Sequence, residues 1–233
     1  MRSRIRIGIP SKGRLKSNIE NFFKIKSFIL IKKGQDREYV LEFKNREDLQ
    51  PILMTASEIP FELRKGNIDL GITGKDLLYE RVMDWTKSIV EINELNFGFA
   101  NLVVAVPRFW VDVNSLDDLD DIAHFYRSRL SRRLKLATKY ENLARDFFVN
   151  RELADYQIID SQGATEGAIK NGLADVIVDI SSTGETLKQN NLKVLKDGLI
   201  LKSVATIFAN KKYLSRNKSN KNLQAFLRTL SEE

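Results

Sequence analysis

Apolar positions along the chain predict an alternation of strands and helices. Short apolar runs bounded by turn residues, such as 102–107, 134–138 and 176–180, indicate buried strands. Between them, apolar residues recur at helical spacing, as in 115–130 and 140–149. Strands with continuous apolar runs that alternate with helices are typical of a parallel sheet covered by helices. The pattern therefore predicts an α/β protein.

The two halves of the chain differ in regularity. In the first half the pattern predicts strands at 4–10, 28–31, 39–43, 51–54, 69–73 and 89–95, and helices at 14–25, 57–66 and 75–80. Ser57 is expected to cap the second of these helices, which Gly66 ends. The second half is more regular, with strands at 102–107, 134–138, 156–160, 176–180 and 199–209, and helices at 115–130, 140–149, 164–171, 184–190 and 219–230. We expect two α/β lobes with a ligand cleft between them.

Composition narrows the classes of function. The chain has 233 residues, a net charge of +7, no Cys and a single His. Without Cys, a disulfide scaffold, thiol catalysis and Cys-ligated zinc are excluded. The lone His124 lies within a predicted helix, which argues against a Ser-His-Asp triad or a His metal site. Any reaction must then depend on positioning and electrostatics.

The positive charge has no obvious nucleic-acid pattern. Basic residues interleaved with aromatics are not clustered in the first 200 residues, and the basic stretch 211–228 is interpreted as a solvated terminal helix. Residues 1–9 alternate charge with Ile and lack the apolar core of a signal peptide. No stretch approaches the ~20 apolar residues of a membrane span. We expect a cytoplasmic protein.

The segment VDISSTGETL, residues 178–187, carries the strongest sign of chemistry. An apolar strand ends there and a helix begins, so the backbone amides of 181–185 would face outward and Gly184 would allow close approach of an anion. Asp179, at the strand end, would bond sugar hydroxyls beside that phosphate. The alternative is a helix start rich in capping residues, although one suffices for a cap. Further donors would be the hydroxyls of Ser181, Ser182, Thr183 and Thr186.

Two other loops follow predicted strands. Glu166 is interpreted either as a first-turn acid of a capping box or as a carboxylate that faces the same ligand as Asp179. After the first strand, Lys12 and Arg14 flank Gly13. This arrangement suits a polyphosphate, with Lys12 as a point charge and Arg14 as a fork of donors, and a solvated loop is the alternative.

Six segments share their order and residues with one known family. They are IGIPSKGRL, SEIPFELRKGNIDLGITGKDLL, FGFANLVVAVP, LKLATKYENLARDFF, GATEGAIKNGLADVIVDISSTGETL and LKVLKDGLILKSVATIFAN. Together they resemble the motif blocks of ATP phosphoribosyltransferase. The resemblance implies the first step of histidine biosynthesis, in which ATP attacks phosphoribosyl pyrophosphate (PRPP), giving phosphoribosyl-ATP and pyrophosphate with Mg²⁺ present. It also implies a two-lobe fold like type II periplasmic binding proteins, with the active site in the cleft, lobe I at 1–103 plus 205–233 and lobe II at 104–204.

The resemblance assigns roles to single residues. Asp179 and Glu166 would address the ribose hydroxyls, and Lys12, Arg14 and Arg37 would face the pyrophosphate. Substrate oxygens would hold Mg²⁺, with no ligand from the protein. The PRPP loop would comprise Ser181, Ser182, Thr183, Gly184, Glu185 and Thr186, and the ATP side of the cleft would be lined by Gly13, Thr73, Thr138, Lys139 and Tyr140.

Two departures from the family affect the leaving group. Many members carry Arg where this chain has Thr55-Ala56, and Arg where it has Asn101. Arg37 or Lys75 would have to compensate. Because only residues 211–233 follow the last shared block, the chain resembles the short form. That form implies no regulatory domain, a regulatory subunit similar to histidyl-tRNA synthetase and a catalytic homodimer within a hetero-oligomer, without nucleic acid or membrane.

Two other functions stay open. One is another PRPP-dependent phosphoribosyltransferase; the salvage class usually has two adjacent acids before its loop, and Val178 replaces the first here. The other is a non-catalytic solute-binding protein of the same fold, which would have no reason to carry a phosphate loop.

Overall fold

The computed structural model describes residues 4–33, 40–161 and 165–231. The chain divides into two compact units, unit 1 formed by Met1–Gly98 and Val204–Glu233, and unit 2 by Phe99–Ser203. In chain order the elements are β1 (Ile5–Pro10), α1 (Gly13–Ile25), β2 (Leu30–Lys33), β3 (Val40–Phe43), β4 (Leu49–Met54), α2 (Ile59–Lys65), β5 (Leu70–Gly74), α3 (Lys75–Arg81), a 3₁₀ turn (Trp85–Lys87), β6 (Ile89–Glu94), β7 (Ala100–Pro107), α4 (Leu116–Arg129), β8 (Leu134–Thr138), α5 (Glu141–Val149), β9 (Tyr156–Asp160), α6 (Gly167–Lys170), β10 (Val176–Ser181), α7 (Glu185–Gln189), β11 (Leu192–Ser203), β12 (Ala205–Asn210), α8 (Lys211–Arg216) and α9 (Lys221–Ser231).

Unit 1 is built on a five-stranded sheet in the order β4-β1-β5-β12-β6. Strands β4, β1 and β5 are parallel, and β12 is antiparallel to both β5 and β6. Successive strand residues point to opposite faces, so Ile207 packs with α1 and α9, whereas Phe208 packs with α2 and α3. A side chain on Gly71 would come within 2.5 Å of Ile59, so this glycine lets α2 lie close on the sheet.

Unit 2 has a second five-stranded sheet, in the order β11-β7-β10-β8-β9. Strands β10, β8 and β9 are parallel, whereas β7 runs antiparallel to β10 and β11. Helix α4 begins with a capping box, in which the Ser115 hydroxyl accepts from the Asp118 amide and the Asp118 carboxylate accepts from the Ser115 amide. Apolar side chains such as Val103, Ile177 and Leu187 form the core beside the sheet.

The predicted α/β class is confirmed, but the expectation of parallel sheets is wrong in part. Each sheet has four strands that run in one direction and one reversed strand, β12 in unit 1 and β7 in unit 2. Each reversed strand is the first strand after a point where the chain changes units. The single strand region expected at 199–209 is two strands, β11 and β12, and α8 is an additional short helix.

The expected cap of α2 is also corrected. Glu58, not Ser57, occupies the N-cap position, and its side chain makes no cap bond to the helix. Instead, the Glu58 carboxylate accepts from the amide and the hydroxyl of Thr55, at 2.7 and 2.8 Å. Gly66 ends the helix in the left-handed conformation, as predicted.

Candidate active site

Three parallel strands of unit 2 end at one edge of the sheet. Val178 of β10 pairs with Thr138 of β8, which pairs with Asp160 of β9. The residues that follow these three positions therefore emerge side by side. They include Asp179, Lys139 and Ser161.

Asp179 and Lys139 form an ion pair at this edge. The Lys139 Nζ lies 3.4 Å from Asp179 Oδ1, and the same oxygen accepts the Ile180 amide at 2.8 Å. The Asp179 side chain is only 7% exposed, whereas Lys139 is 42% exposed and its Nζ lies 5.4 Å from the centre of the Tyr140 ring. The carboxylate is thus fixed, and the lysine can turn toward solvent without moving the backbone.

The loop after β10 is closed by its own hydroxyls. The Gly184 amide donates to Ser181 Oγ at 3.0 Å, and the Glu185 amide donates to Thr183 Oγ1 at 3.4 Å. Gly184 has a φ of 80°, in the left-handed region, just before α7 begins. Two of the amides that were expected to face outward therefore have hydroxyl acceptors within the loop.

The remaining hydroxyls of the loop have no such partner. Ser182 and Thr186 are exposed, and neither hydroxyl forms a hydrogen bond within the part of the chain that the structure describes. Ser182 belongs to the bend that precedes α7, and Thr186 to the first turn of this helix. In this loop, the amides of Gly184 and Glu185 donate to neutral hydroxyls, and the hydroxyls of Ser182 and Thr186 are available as donors on the surface.

Two residues expected to line the ATP side are buried supports. Thr73 and Thr138 have no exposed surface. The Thr73 hydroxyl donates to the Ala56 carbonyl at 2.9 Å, and the Thr138 hydroxyl accepts from the Tyr140 amide at 2.9 Å. Tyr140 itself is 2% exposed. These side chains shape the strand ends and leave Lys139 as the exposed member of its segment.

The remaining predicted residues are placed less completely. Glu166 stands at the N-cap position of α6, is partly exposed and makes no cap bond, so the capping-box interpretation is wrong. Arg37 and the residues 162–164 lie outside the described residues. In unit 1, Lys12 is the N-cap residue of α1, and Lys12, Gly13 and Arg14 are exposed after the end of β1.

The structure shows what occupies the two positions where family members carry Arg. Thr55 holds the carboxylate of Glu58, and its amide and hydroxyl lower the pKa of that carboxyl below its usual value. Asn101 is exposed on β7 and pairs with Ser181 across the sheet, next to the loop. Both positions thus carry neutral side chains, one structural and one beside the proposed phosphate site.

Lys75 does not supply the missing charge. Its Nζ is bonded to Glu91 at 2.9 Å and to Glu94, and the side chain is 14% exposed. Burial alone would lower the pKa of Lys75, but the two carboxylates outweigh it and raise the pKa. The idea that Lys75 compensates for the absent arginines is therefore wrong for this conformation.

The described ranges contain neither a candidate metal-binding cluster nor a helix that could span a membrane. These residues contain no group of three or more His, Asp or Glu side chains placed to hold a metal ion. Among the same residues, every helix is too short or too polar to cross a bilayer.

Comparison with known sequences points to one family. The HisG family model, described as ATP phosphoribosyltransferase, matches residues 55–232. An ATP phosphoribosyltransferase of Cereibacter sphaeroides is 45% identical over 89% of this chain and 88% of its own length. One of Bradyrhizobium is 45% identical over 88% of this chain but only 63% of its own length. The chain thus spans most of the first relative and less than two thirds of the second.

Solved structures agree on the fold. A chain from the ATP phosphoribosyl transferase (HisG:HisZ) complex of Thermotoga maritima aligns with a TM-score of 0.73 and 23% identity, covering 97% of this chain and 96% of that one. The periplasmic aliphatic sulphonate binding protein of Escherichia coli aligns with a TM-score of 0.58 and 17% identity, covering 98% of this chain and 71% of its own. The expected likeness to periplasmic binding proteins is confirmed.

Proposed function

The chain belongs to the ATP phosphoribosyltransferase family, the transferases that move the phosphoribosyl group of PRPP onto ATP in the first step of histidine biosynthesis, and we propose which of its residues carry out that transfer. The observation on which the proposal rests is the loop 181–186, where free hydroxyls and a left-handed glycine follow a fixed carboxylate. This arrangement suits the sugar-phosphate half of PRPP.

The loop binds the 5′-phosphate of PRPP with neutral donors. The amides of Gly184 and Glu185 have only hydroxyl acceptors, and a phosphate oxygen is a stronger, charged acceptor for the same N–H groups. The hydroxyls of Ser181 and Thr183 then turn to donate, together with those of Ser182 and Thr186. The number of donors, not a lysine, holds the dianion.

The ribose lies next to Asp179. Its carboxylate retains acceptor capacity beyond the Ile180 amide and Lys139, so it accepts from a ribose hydroxyl. Glu166 accepts from the neighbouring hydroxyl, which its partial exposure at the N-cap of α6 permits. Lys139 pairs with Asp179 in this structure and bonds a substrate oxygen when the ribose takes its place.

Chemistry proceeds by charge stabilisation. The nucleophile is a neutral ring nitrogen of adenine, so the reaction needs no strong base, whereas the departing pyrophosphate gains charge that cations must stabilise. Lys12 and Arg14, exposed after β1, supply that charge, and Arg37 is assigned the same role. Gly13 between them leaves room for the polyphosphate. Mg²⁺ neutralises further phosphate charge and is assigned to substrate oxygens.

Assembly and location are proposed on the same basis. The likeness to a chain from a HisG:HisZ complex supports a regulatory subunit similar to histidyl-tRNA synthetase, bound to a homodimer of this chain in the cytoplasm. In this arrangement histidine inhibits only the complex. Strong inhibition by histidine of the purified chain, assayed by the ultraviolet absorbance of phosphoribosyl-ATP, would contradict it.

The loop assignment is tested by two glycine variants with matched strain. Gly184 and Gly172 have φ values of 80° and 68°, and no atom lies within 4 Å of a Cβ added to either. Gly184→Ala and Gly172→Ala therefore introduce similar strain, about 1–2 kcal/mol, without a clash. We expect PRPP affinity, measured by calorimetry, to fall about tenfold or more in Gly184→Ala and to stay within about twofold in Gly172→Ala. Equal PRPP affinities in both variants would show that the phosphate binds elsewhere.

A further inference from the structure

A cationic cavity lies at the far end of the unit 1 sheet. Its volume is about 710 Å³, and its walls include the start of β1, the residue before β5 and the end of β12. Lys12 and Gly74 lie at the other ends of β1 and β5, about 20 Å away across the six residues of β1. Within unit 1, the cavity is therefore separate from Lys12, Gly13 and Thr73, which lie at the other ends of these strands.

Its charge is strongly one-sided. Seven cationic side chains and a single carboxylate, Asp69, line the cavity. Arg6 forms an ion pair with that carboxylate and donates two hydrogen bonds to it, from Nη2 to Oδ1 at 2.7 Å and from Nε to Oδ2 at 3.1 Å. The hydrogen bond to Asp69 raises the pKa of Arg6 above its usual value, and the ion pair of the two residues contributes no net charge to the cavity. The other cations are left without an acid in the cavity.

Four of these cations form no salt bridge among the residues that the structure describes, although Arg64, after Lys87, helps to lower the pKa of the Asp84 carboxyl. Lys65 and Lys87 contact Glu62 and Asp84 outside the cavity, at 3.4 and 2.6 Å. The remaining four are exposed and form no salt bridge within the described ranges. They come from the residue before β1, the last turn of α2 and both ends of α8, and are Arg4, Arg64, Lys212 and Arg216.

Helix dipoles explain only part of this arrangement. Arg64 and Arg216 lie in last turns, where a cation is favoured. Lys212 lies in the first turn of α8, where the dipole disfavours it, and Arg4 belongs to no helix. Helix dipoles therefore do not account for the positions of Lys212 and Arg4. Like charges on one cavity repel each other unless an anion lies between them.

The walls are fixed in place. The Asn210 amide nitrogen donates to the Leu63 carbonyl at 2.7 Å, and its oxygen accepts the Tyr213 amide at 2.9 Å, which ties α8 to α2. Tyr213 lines the cavity, and burial together with nearby Asp69 raises its pKa to about 12. Its hydroxyl therefore remains protonated and available as a donor. The cations are presented on elements that need not rearrange.

We propose that this cavity binds an oligophosphate group, either free or carried on a nucleotide. Balancing four unpaired cations takes a ligand with several adjacent negative charges, which a chain of phosphates supplies and a single phosphate does not. The guanidinium groups of Arg4, Arg64 and Arg216 come from three segments of the chain. Each guanidinium can donate two parallel hydrogen bonds to the oxygens of a phosphate. The volume lies in the range of small-ligand sites and is far below that needed by a folded partner.

The test compares two double variants with the same loss of charge. Inorganic tripolyphosphate and, separately, ATP are titrated without Mg²⁺ into the full chain, into Arg64→Ala/Arg216→Ala and into Arg129→Ala/Arg133→Ala, which removes two exposed arginines of unit 2. We expect tripolyphosphate affinity to fall about 30-fold in the first variant and less than about twofold in the second. If Arg64→Ala/Arg216→Ala also loses a second ATP site, the ligand is a nucleotide. If ATP binding is unchanged in this variant, the ligand is a free oligophosphate.

Other outcomes overturn the proposal. One is that the full chain does not bind tripolyphosphate, or binds only RNA or an acidic polypeptide tightly. Another is that tripolyphosphate affinity falls equally in both double variants, or falls in Gly184→Ala instead. Each of these results contradicts an oligophosphate site in the cavity. Transfer activity at saturating ATP and PRPP should be unchanged in Arg64→Ala/Arg216→Ala. Failure of PRPP binding at the loop would therefore refute the proposed function and leave the cavity result intact.

Discussion

The loop 181–186 in unit 2 and the cationic cavity in unit 1 suit anions by opposite means. The loop uses amides and hydroxyls that carry no net charge and follow one another in sequence. The cavity uses exposed guanidinium and ammonium groups from four separate segments. Neutral donors recognise geometry at contact distance, whereas unpaired charges act over longer distances and with less discrimination. The two regions should therefore respond differently to substitution and to salt.

The largest difference is expected between Asp179 and Asp175. Asp179 is the last buried residue of β10, and Asp175 precedes the strand and binds Arg132 at 2.6 and 2.9 Å and the Lys135 amide at 2.8 Å. Asp179→Ala should lower PRPP affinity about 10- to 100-fold, because a bond between a carboxylate and a ribose hydroxyl is lost. Asp175→Ala should leave that affinity unchanged and lower the free energy of unfolding by about 2–3 kcal/mol.

Calorimetry with PRPP and denaturant unfolding separate the two effects. If the two variants lost PRPP affinity equally, the loss would reflect damage to β10 and not the removal of a ribose contact. If Asp179→Ala bound PRPP normally, the strand end would have no part in recognising the sugar, and the loop would differ from the cavity only in charge.

The same contrast explains what could be predicted from the sequence. The residues of the loop are contiguous, so their strand-to-helix position and hydroxyl content were visible in the pattern. The pairing of Thr138 with Val178 and Asp160 follows from parallel strands, which the apolar runs indicate. The sequence predicts strands at 102–107 and 199–209 but not the antiparallel direction of β7 and β12, because an apolar run does not reveal strand direction.

Features assembled from distant segments were not predictable. The cavity joins Arg4, Arg64 and Lys212, which are far apart in sequence and each resemble an ordinary surface cation. The basic terminal stretch was accordingly interpreted as a solvated helix. Likewise, nothing in the sequence shows that Lys75 forms ion pairs with Glu91 and Glu94, because these contacts depend on the order of β5, β12 and β6 in the sheet.

Higher ionic strength should weaken ligand binding more at the cavity than at the loop. This difference should be smaller than that between the two aspartate variants and larger than that between Ser115→Ala and Ser182→Ala. Raising ionic strength from about 0.01 M to about 0.1 M shortens the Debye length from about 30 Å to about 10 Å. Tripolyphosphate binding at the cavity should weaken about tenfold or more over this range, and ribose 5-phosphate binding at the loop by about threefold or less. Ribose 5-phosphate is the suitable probe because it lacks the pyrophosphate that Lys12 and Arg14 address. Equal slopes for both ligands would mean that the loop also depends on net charge.

The smallest effect concerns two serines of unit 2 that use the same hydroxyl chemistry differently. Ser115 caps α4, with its Oγ 3.2 Å from the Asp118 amide, whereas Ser182 is exposed without a bond in the described ranges. Ser115→Ala should lower the free energy of unfolding by about 1 kcal/mol without changing ribose 5-phosphate affinity. Ser182→Ala should weaken that affinity about 2- to 10-fold at unchanged stability, since one neutral hydrogen bond is lost.

Denaturant unfolding and calorimetry on these two variants address the choice that the sequence left open, between a helix start rich in capping residues and a phosphate cradle. A cap stabilises the free protein, so its removal is visible without ligand. A ligand donor contributes only when the phosphate is present. Suppose that Ser182→Ala destabilised the free protein as Ser115→Ala does and left ribose 5-phosphate affinity unchanged. The hydroxyls of the loop would then be helix caps, and the proposal that they bind a phosphate as neutral donors would be wrong.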